Sequence, residues 1–189
     1  MNENCNKLKL NLGAGEKPIH GWVNVDARPE CRPDVIGDIT KISLMFSNAD
    51  LIYACHVLEH FPTKPSSQFP VTWKEVLKDW YATLKPGGIL RLSVPNFQAI
   101  CEYYLETRNL DKLYGLLYGG QKNDFDFHFH AWDFNSLEKE LQDIGFKEVH
   151  LYDRWKTDHS NIDDYSAAYL PHKDFIKGRL MSLNIQAVK

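Results

Sequence analysis

Short runs rich in β-branched and apolar residues alternate along this chain with stretches that suit helices, and that alternation narrows the fold more than any other feature. Residues 7–12, 22–26, 35–36, 50–54 and 88–94 read as strands. Strands separated by crossovers point to a parallel α/β sheet. Helical patterns fill residues 72–84, 97–107, 110–118 and 135–144. Lys85-Pro86-Gly87-Gly88 stops the first of them, and the last is expected to start on an Asn135 cap and end at Gly145. Two more strands, 148–152 and 181–188, close the chain without a clear helix between them, which fits a terminal antiparallel hairpin. One connection resists a regular scheme. Only six residues separate Gly15 from Trp22, Pro18 and Gly21 among them, so a turn or one short helical piece has to replace the crossover helix.

A length of 189 residues with 43% hydrophobic content suits one domain with a single sizeable core. Basic and acidic residues nearly balance, 22 against 25 for a net charge of -3, with no like-charge run, so no electrostatic footprint for nucleic acid is expected. The cysteines at 5, 31, 55 and 101 form no C-x-x-C pair and no disulfide-like spacing, which suits free thiols in a reducing compartment. Residues 1–10 are polar, and no stretch reaches the roughly 18 apolar residues of a membrane span. A cytoplasmic protein is the expectation. Residues 61–70, with three prolines, two serines and a lysine, read as a surface loop.

In an open α/β sheet, ligands lie beyond the carboxyl ends of the strands near the topological switch point. After the first strand come Gly13, Ala14 and Gly15, small enough for close backbone approach, although an ordinary tight turn uses the same residues. Asp26 follows the second strand, where a carboxylate accepts hydrogen bonds from both hydroxyls of a ribose. Alone it would read as a turn or cap residue. Gly37-Asp38-Ile39 follows the third strand and offers a carboxylate for an exocyclic amine and an apolar side chain for a purine face. A helix cap at Asp38 competes with that reading. The fourth strand leads into Ala54-Cys55-His56-Val57-Leu58-Glu59-His60-Phe61, in which Glu59 and His60 alone would suit an exposed helix start.

Taken together, these residues resemble the class I S-adenosylmethionine-dependent methyltransferases, and in detail their small type 11 members, over about residues 8–152. Leu10-Asn11-Leu12-Gly13-Ala14-Gly15 looks like the family's glycine loop, and Gly21-Trp22-Val23-Asn24-Val25-Asp26 like its second strand with the ribose-binding acid. Residues 50–61 look like its D-x-I-x-x-x-H-V-L-E-H block, and Leu84-Lys85-Pro86-Gly87-Gly88-Ile89-Leu90 like the entry to its fifth strand. The resemblance implies a Rossmann-like, mostly parallel sheet with a C-terminal antiparallel strand in a three-layer α/β sandwich, and S-adenosylmethionine as cofactor. It further implies that Gly13, Ala14 and Gly15 meet the methionine end, Asp26 the ribose, Asp38 and Ile39 the adenine, and Cys55 or His56 the floor near the sulfonium. Two departures stand out. Asn11 replaces the usual acid, and the loop after Gly15 is too short for the usual helix. A dinucleotide site is disfavoured, because G-x-G-x-x-G would need glycine where Pro18 sits.

For the acceptor side, Asp126-Phe127-His128-Phe129-His130-Ala131-Trp132-Asp133 is the candidate, since strand-like geometry would put His128 and His130 on one face and Phe127 and Phe129 on the other. Those two imidazoles are the expected catalytic groups, set against a structural histidine among packing aromatics. His128, His130 and Asp133 could also be counted as three metal ligands, but no spacing signature supports them and no metal is expected. Tyr103, Tyr104, Tyr114 and Tyr118 read as core and lid. Residues 153–177 look too polar for a buried element and are expected to cover the site or make an interface, which allows for a homodimer. The acceptor is expected to be a small molecule, and the resemblance implies a sugar-like one. The alternative reading is a non-catalytic protein that binds S-adenosylmethionine or S-adenosylhomocysteine.

Overall fold

Leu10, Leu12, Val25, Ile52 and Ala54 are all buried, which places the first strands of the chain at the centre of a seven-stranded sheet. The computed structural model describes residues 7–189, so Cys5 lies outside the described residues. The strands are β1 (Lys9–Leu12), β2 (Val23–Asp26), β3 (Val35–Ile36), β4 (Ala49–Cys55), β5 (Leu84–Pro95) and β6 (Lys147–Leu151). A short pair, β7 (Tyr169–Leu170) and β8 (Arg179–Leu180), forms a separate ribbon, and β9 (Ser182–Val188) ends the chain. The order across the sheet is β3-β2-β1-β4-β5-β9-β6. The pairs among β1 to β5 are parallel, and β9 runs antiparallel to both β5 and β6. This is the expected Rossmann-like, mostly parallel sheet, and β6 with β9 makes the expected antiparallel closure.

Among the described residues four α-helices accompany it: α1 (Trp73–Thr83), α2 (Phe97–Thr107), α3 (Tyr114–Tyr118) and α4 (Phe134–Ile144). Trp73, Val76, Leu77 and Trp80 repeat at helical spacing and are buried by α1, each contributing about 2 kcal/mol of hydrophobic burial. Thr72 and Glu75 close a capping box at its start. For α4 the cap is Asp133, not Asn135. Its carboxylate accepts from Ser136 N at 2.8 Å, and Asn135 stands inside the first turn. The 110–118 pattern forms a helix only over Tyr114–Tyr118, and Tyr104, Tyr114 and Tyr118 are exposed, so they are not core. Among the described residues no helix is long and apolar enough to cross a membrane.

The missing crossover helix after Gly15 is replaced by a polar network. Asn24 accepts from Ile19 N at 2.7 Å and from Asn11 Nδ2 at 3.0 Å through the same Oδ1. Its own amide donates to Asp34 and to the Ile19 carbonyl, while Asn11 Nδ2 also reaches the Lys17 carbonyl. Both asparagines are buried, and a buried amide is tolerable only when its groups are paired in this way. An acid at position 11 could donate to neither partner, which accounts for the asparagine.

Helices α1 and α4 cover one face of the sheet, and much of the opposite face is covered by irregular chain. There Ile19, Trp22, Leu51 and Tyr53 form an apolar cluster that Ile162 joins. The polarity of residues 153–177 does not keep them outside: Arg154, His159 and Ser166 are buried. Arg154 Nε donates to Ser166 Oγ at 3.0 Å, Tyr53 Oη donates to Asp164 at 2.8 Å, and His159 stacks on Tyr53 with ring centroids 4.2 Å apart. Polar side chains supplied with partners can be buried, and residue type alone does not reveal the partners.

Candidate functional site

The register of the sheet brings the ends of β1, β2, β3 and β4 level. Leu12 pairs with Val25 and with Ala54, and Asp26 pairs with Ile36. The residues that follow these pairs are Gly13, Gly37 and Cys55, with Asp26 itself closing β2. The strand order reverses direction between β1 and β4, so this edge is the switch point at which α/β sheets bind ligands.

Gly13 and Gly15 have φ of +65° and +52°, a region costly for other residues. A Cβ on Gly13 would lie 2.6 Å from Val57 Cγ2, so the turn passes close to the chain after β4. Gly13 N and Ala14 N donate to the Val25 carbonyl at 2.8 and 3.1 Å. Gly15 N donates to Asp26 Oδ2 at 2.7 Å, and Arg28 N to Asp26 Oδ1 at 2.9 Å. Asp26 is buried, and its carboxylate ties the first turn to the second strand end. Asp38 is exposed and caps a 3-10 stretch (Ile39–Leu44), accepting from Thr40 N at 2.9 Å. The capping role foreseen for it is therefore present, and Ile39 beside it is half-buried.

The chain after β4 departs most from expectation. Leu58–His60 is a 3-10 turn whose Glu59 has no exposed surface, not an exposed helix start. His56 adopts φ +52° and donates its backbone N–H to the Ser93 carbonyl at 2.8 Å. Its Nε2 lies 2.8 Å from Ser182 Oγ and its Nδ1 3.2 Å from Glu59 Oε1. Neither Glu59 side-chain oxygen has a hydrogen-bond partner. Burial pushes the Glu59 carboxyl up to about 8 and the His56 imidazole down to about 3. Burial also raises the Cys55 thiol well above its ordinary value, which keeps it protonated and unreactive.

His128 and His130 share the half-buried side of their segment while Phe127 and Phe129 are exposed, so the alternation holds. Their surroundings differ. His128 lies against His60, ring centroids 4.8 Å apart, with Nδ1 3.0 Å from the Leu116 carbonyl. Burial, then the neighbouring His60, brings its pKa down to about 4. His130 stacks on Trp132 at 4.0 Å and Trp73 at 5.4 Å, and its Nδ1 is 3.1 Å from Thr63 Oγ1. Asp133 is engaged as the α4 cap. The structure thus groups His128 with Glu59 and His60 instead of with His130 and Asp133. Glu59 read as exposed because only the tight turn, and not residue type, aims two consecutive side chains at one place.

Residues 12–151 match the family model of a methyltransferase domain. No curated protein matches the chain. Among solved structures, the chain is similar to an S-adenosylmethionine-dependent methyltransferase from Archaeoglobus fulgidus, at 13% identity and a TM-score of 0.55, covering 97% of this chain and 86% of that one. It is similar to human N-acetylserotonin methyltransferase in complex with S-adenosylmethionine at 16% identity and a TM-score of 0.55, covering 96% and 47%. For a candidate O-methyltransferase from Nostoc punctiforme the values are 14% and 0.54, covering 99% and 53%, so the chain spans about half the length of that relative. At these identities the likeness is one of fold.

Proposed function

The chain belongs to the methyltransferase-domain family and is by family and fold a class I S-adenosylmethionine-dependent enzyme; from that premise we propose that it methylates a small-molecule, sugar-like acceptor beside the ends of β1 to β4. The observation that carries the reading is the level alignment of Gly13, Asp26, Gly37 and Cys55 at four adjacent strand ends. The residues fit the donor: Gly13 lets the turn pass close against Val57, and Asp26 Oδ2, which accepts only from Gly15 N, keeps a lone pair for a ribose hydroxyl, whereas Oδ1 is held by both Arg28 N and Arg28 Nε. In this reading Gly13, Ala14 and Gly15 take the methionine end, Asp38 and Ile39 the adenine, and Cys55 and His56 the floor.

The donor supplies a methyl carbon activated by a sulfonium. The chain's own task is to align the acceptor with that carbon and exclude water, and alignment alone is worth roughly 7 to 11 kcal/mol. A carboxylate acceptor needs no base, whereas a hydroxyl does. With no ion bound beside it, His128 is suited to accept that proton. Its Nδ1 donates to the Leu116 carbonyl, so its Nε2 carries the free lone pair, and its lowered pKa keeps the ring neutral near pH 7. His130, packed against both Trp73 and Trp132, is assigned a packing role. The whole chain acts as one domain, and segment 153–177, which sets Tyr165 5.3 Å from His56, covers the site. Its exposed Trp155 and Phe175 offer the surface for a homodimer, and free Cys31, Cys55 and Cys101 suit a cytoplasmic setting.

Calorimetry tests the donor site. S-Adenosylmethionine and S-adenosylhomocysteine should both bind, and Asp26→Ala should weaken both by at least about tenfold, the equivalent of one charge-assisted hydrogen bond. Absence of binding by the intact protein would sink the reading. A screen with labelled donor against sugars, small carboxylates and amines then identifies the acceptor class.

A further inference from the structure

Glu59, His60 and His128 each offer one ligand atom within 4.8 Å of the other two. The hydrogen bonds around them orient those atoms. His60 Nδ1 lies 2.9 Å from the Phe127 carbonyl and His128 Nδ1 3.0 Å from the Leu116 carbonyl. A carbonyl only accepts, so both Nδ1 atoms carry the proton and both Nε2 atoms carry a free lone pair. An Nδ1–H donated to a backbone carbonyl is the arrangement that fixes histidine for metal ligation through Nε2. The third group is a carboxylate with no exposed surface and no hydrogen-bond donor on either oxygen. Such a group is costly to bury unless a cation or a proton meets it.

His56 narrows the choice. Ser182 Oγ donates to the Tyr165 carbonyl, so it accepts from His56 Nε2–H, and His56 Nδ1 is left as a bare acceptor 3.2 Å from Glu59 Oε1. When Glu59 is ionised, two acceptors face one another there. From this geometry we propose that Glu59, His60 and His128 hold a divalent transition-metal ion, with His56 Nδ1 at its border. Two imidazoles and one carboxylate suit zinc, cobalt, nickel, manganese or iron, whereas calcium and magnesium prefer all-oxygen sets. Bonds of about 2.0–2.2 Å in tetrahedral geometry set ligand atoms about 3.3–3.6 Å apart, so side chains whose ligand atoms lie within 4.8 Å of one another close on an ion by drawing in by up to about 1.5 Å. Three protein ligands leave positions open, as in metal sites that take a substrate oxygen. That the oxygen belongs to the methyl acceptor rests on the methyltransferase reading; metal binding itself does not.

The experiment uses the full chain stripped with chelator and titrated with cobalt(II) alone, with no methyl donor, followed by visible absorption and calorimetry. One equivalent should bind with a ligand-field band, and zinc should displace it. Glu59→Gln and His128→Ala should each weaken binding more than about 100-fold, above the range for loss of a supporting hydrogen bond. His150→Ala, at an exposed histidine on β6, should bind as the parent does. Glu59→Gln keeps the side chain's size and His128 is only half-buried, so one variant reports even if the other misfolds. Absence of stoichiometric binding, or unchanged affinity in a folded variant, would overturn the site and identify the Glu59–His56 contact as a shared proton. Donor calorimetry on the same metal-free sample reads separately: donor binding without cobalt rejects the metal site alone, and cobalt binding without the donor rejects the methyltransferase reading alone.

Discussion

Gly13 and Gly21 both have positive φ, +65° and +79°, yet only Gly13 is crowded. Around Gly21 nothing lies within 4 Å of an added Cβ, whereas at Gly13 that atom would displace Val57 and with it the start of the Leu58–His60 turn. The two glycines therefore separate backbone strain from close approach. Alanine at either should cost about 1 kcal/mol through the left-handed backbone, read as a lower melting temperature. Gly13→Ala alone should also weaken S-adenosylmethionine binding, by at least about tenfold or 1.4 kcal/mol. Equal donor affinities in the two variants would refute a close-approach role for Gly13. The glycines and Asp26 were legible because turn chemistry and strand ends are local properties. Glu59 was not, since its burial depends on Phe129, whose N–H reaches the Glu59 carbonyl at 2.8 Å from seventy residues further on.

Strands β4 and β5 are tied where their register shifts, between Ala49 and Leu51. Asp50 accepts from Leu8 N at 2.8 Å and pairs with Lys85 at the entry to β5. The Lys85 hydrogen bond, partly offset by burial, holds the Asp50 carboxyl below its ordinary 3.8. A carboxyl depressed on folding stabilises the protein above its unfolded pKa and ceases to do so as pH falls through the folded one. Asp50→Asn should then cost about 1 kcal/mol in urea unfolding at pH 7, a modest figure because the Lys85 side chain is nearly half exposed. The gap between variant and parent should close as pH drops below 3.8, and a pH-independent gap would refute the ion pair. Elements with strong local signals were the readable ones: α2 begins and ends where periodicity set it, and Gly145 ends α4 as expected. Asp133 outcompeted Asn135 for the α4 cap because the reciprocal bond with Ser136 satisfies two backbone groups at once. The β7–β8 ribbon, two residues a strand, is too short to leave a period.

At the scale of the whole molecule, the two faces of the sheet are built differently, and the difference bears on the donor site. On the helical face, α1 reaches the 3-10 stretch after β3 through Trp80 Nε1, which donates to the Ile39 carbonyl at 2.8 Å, and through Asp79, which accepts from Ser43 N at 3.0 Å. Trp80 has no exposed surface, so the stretch carrying Asp38 and Ile39 hangs on a core side chain. Trp80→Phe keeps an aromatic ring but leaves the Ile39 carbonyl without its donor, a loss of about 1–3 kcal/mol before any cavity is counted. If the tether acts locally, amide exchange should quicken across residues 39–44 far more than in β1 and β4, and donor affinity should fall with it. Lys78→Ala, on the exposed side of α1, should change neither. Uniform acceleration across the sheet in Trp80→Phe would instead mean that the tryptophan supports the core alone, and that the adenine-side stretch is held by its own Asp38 cap.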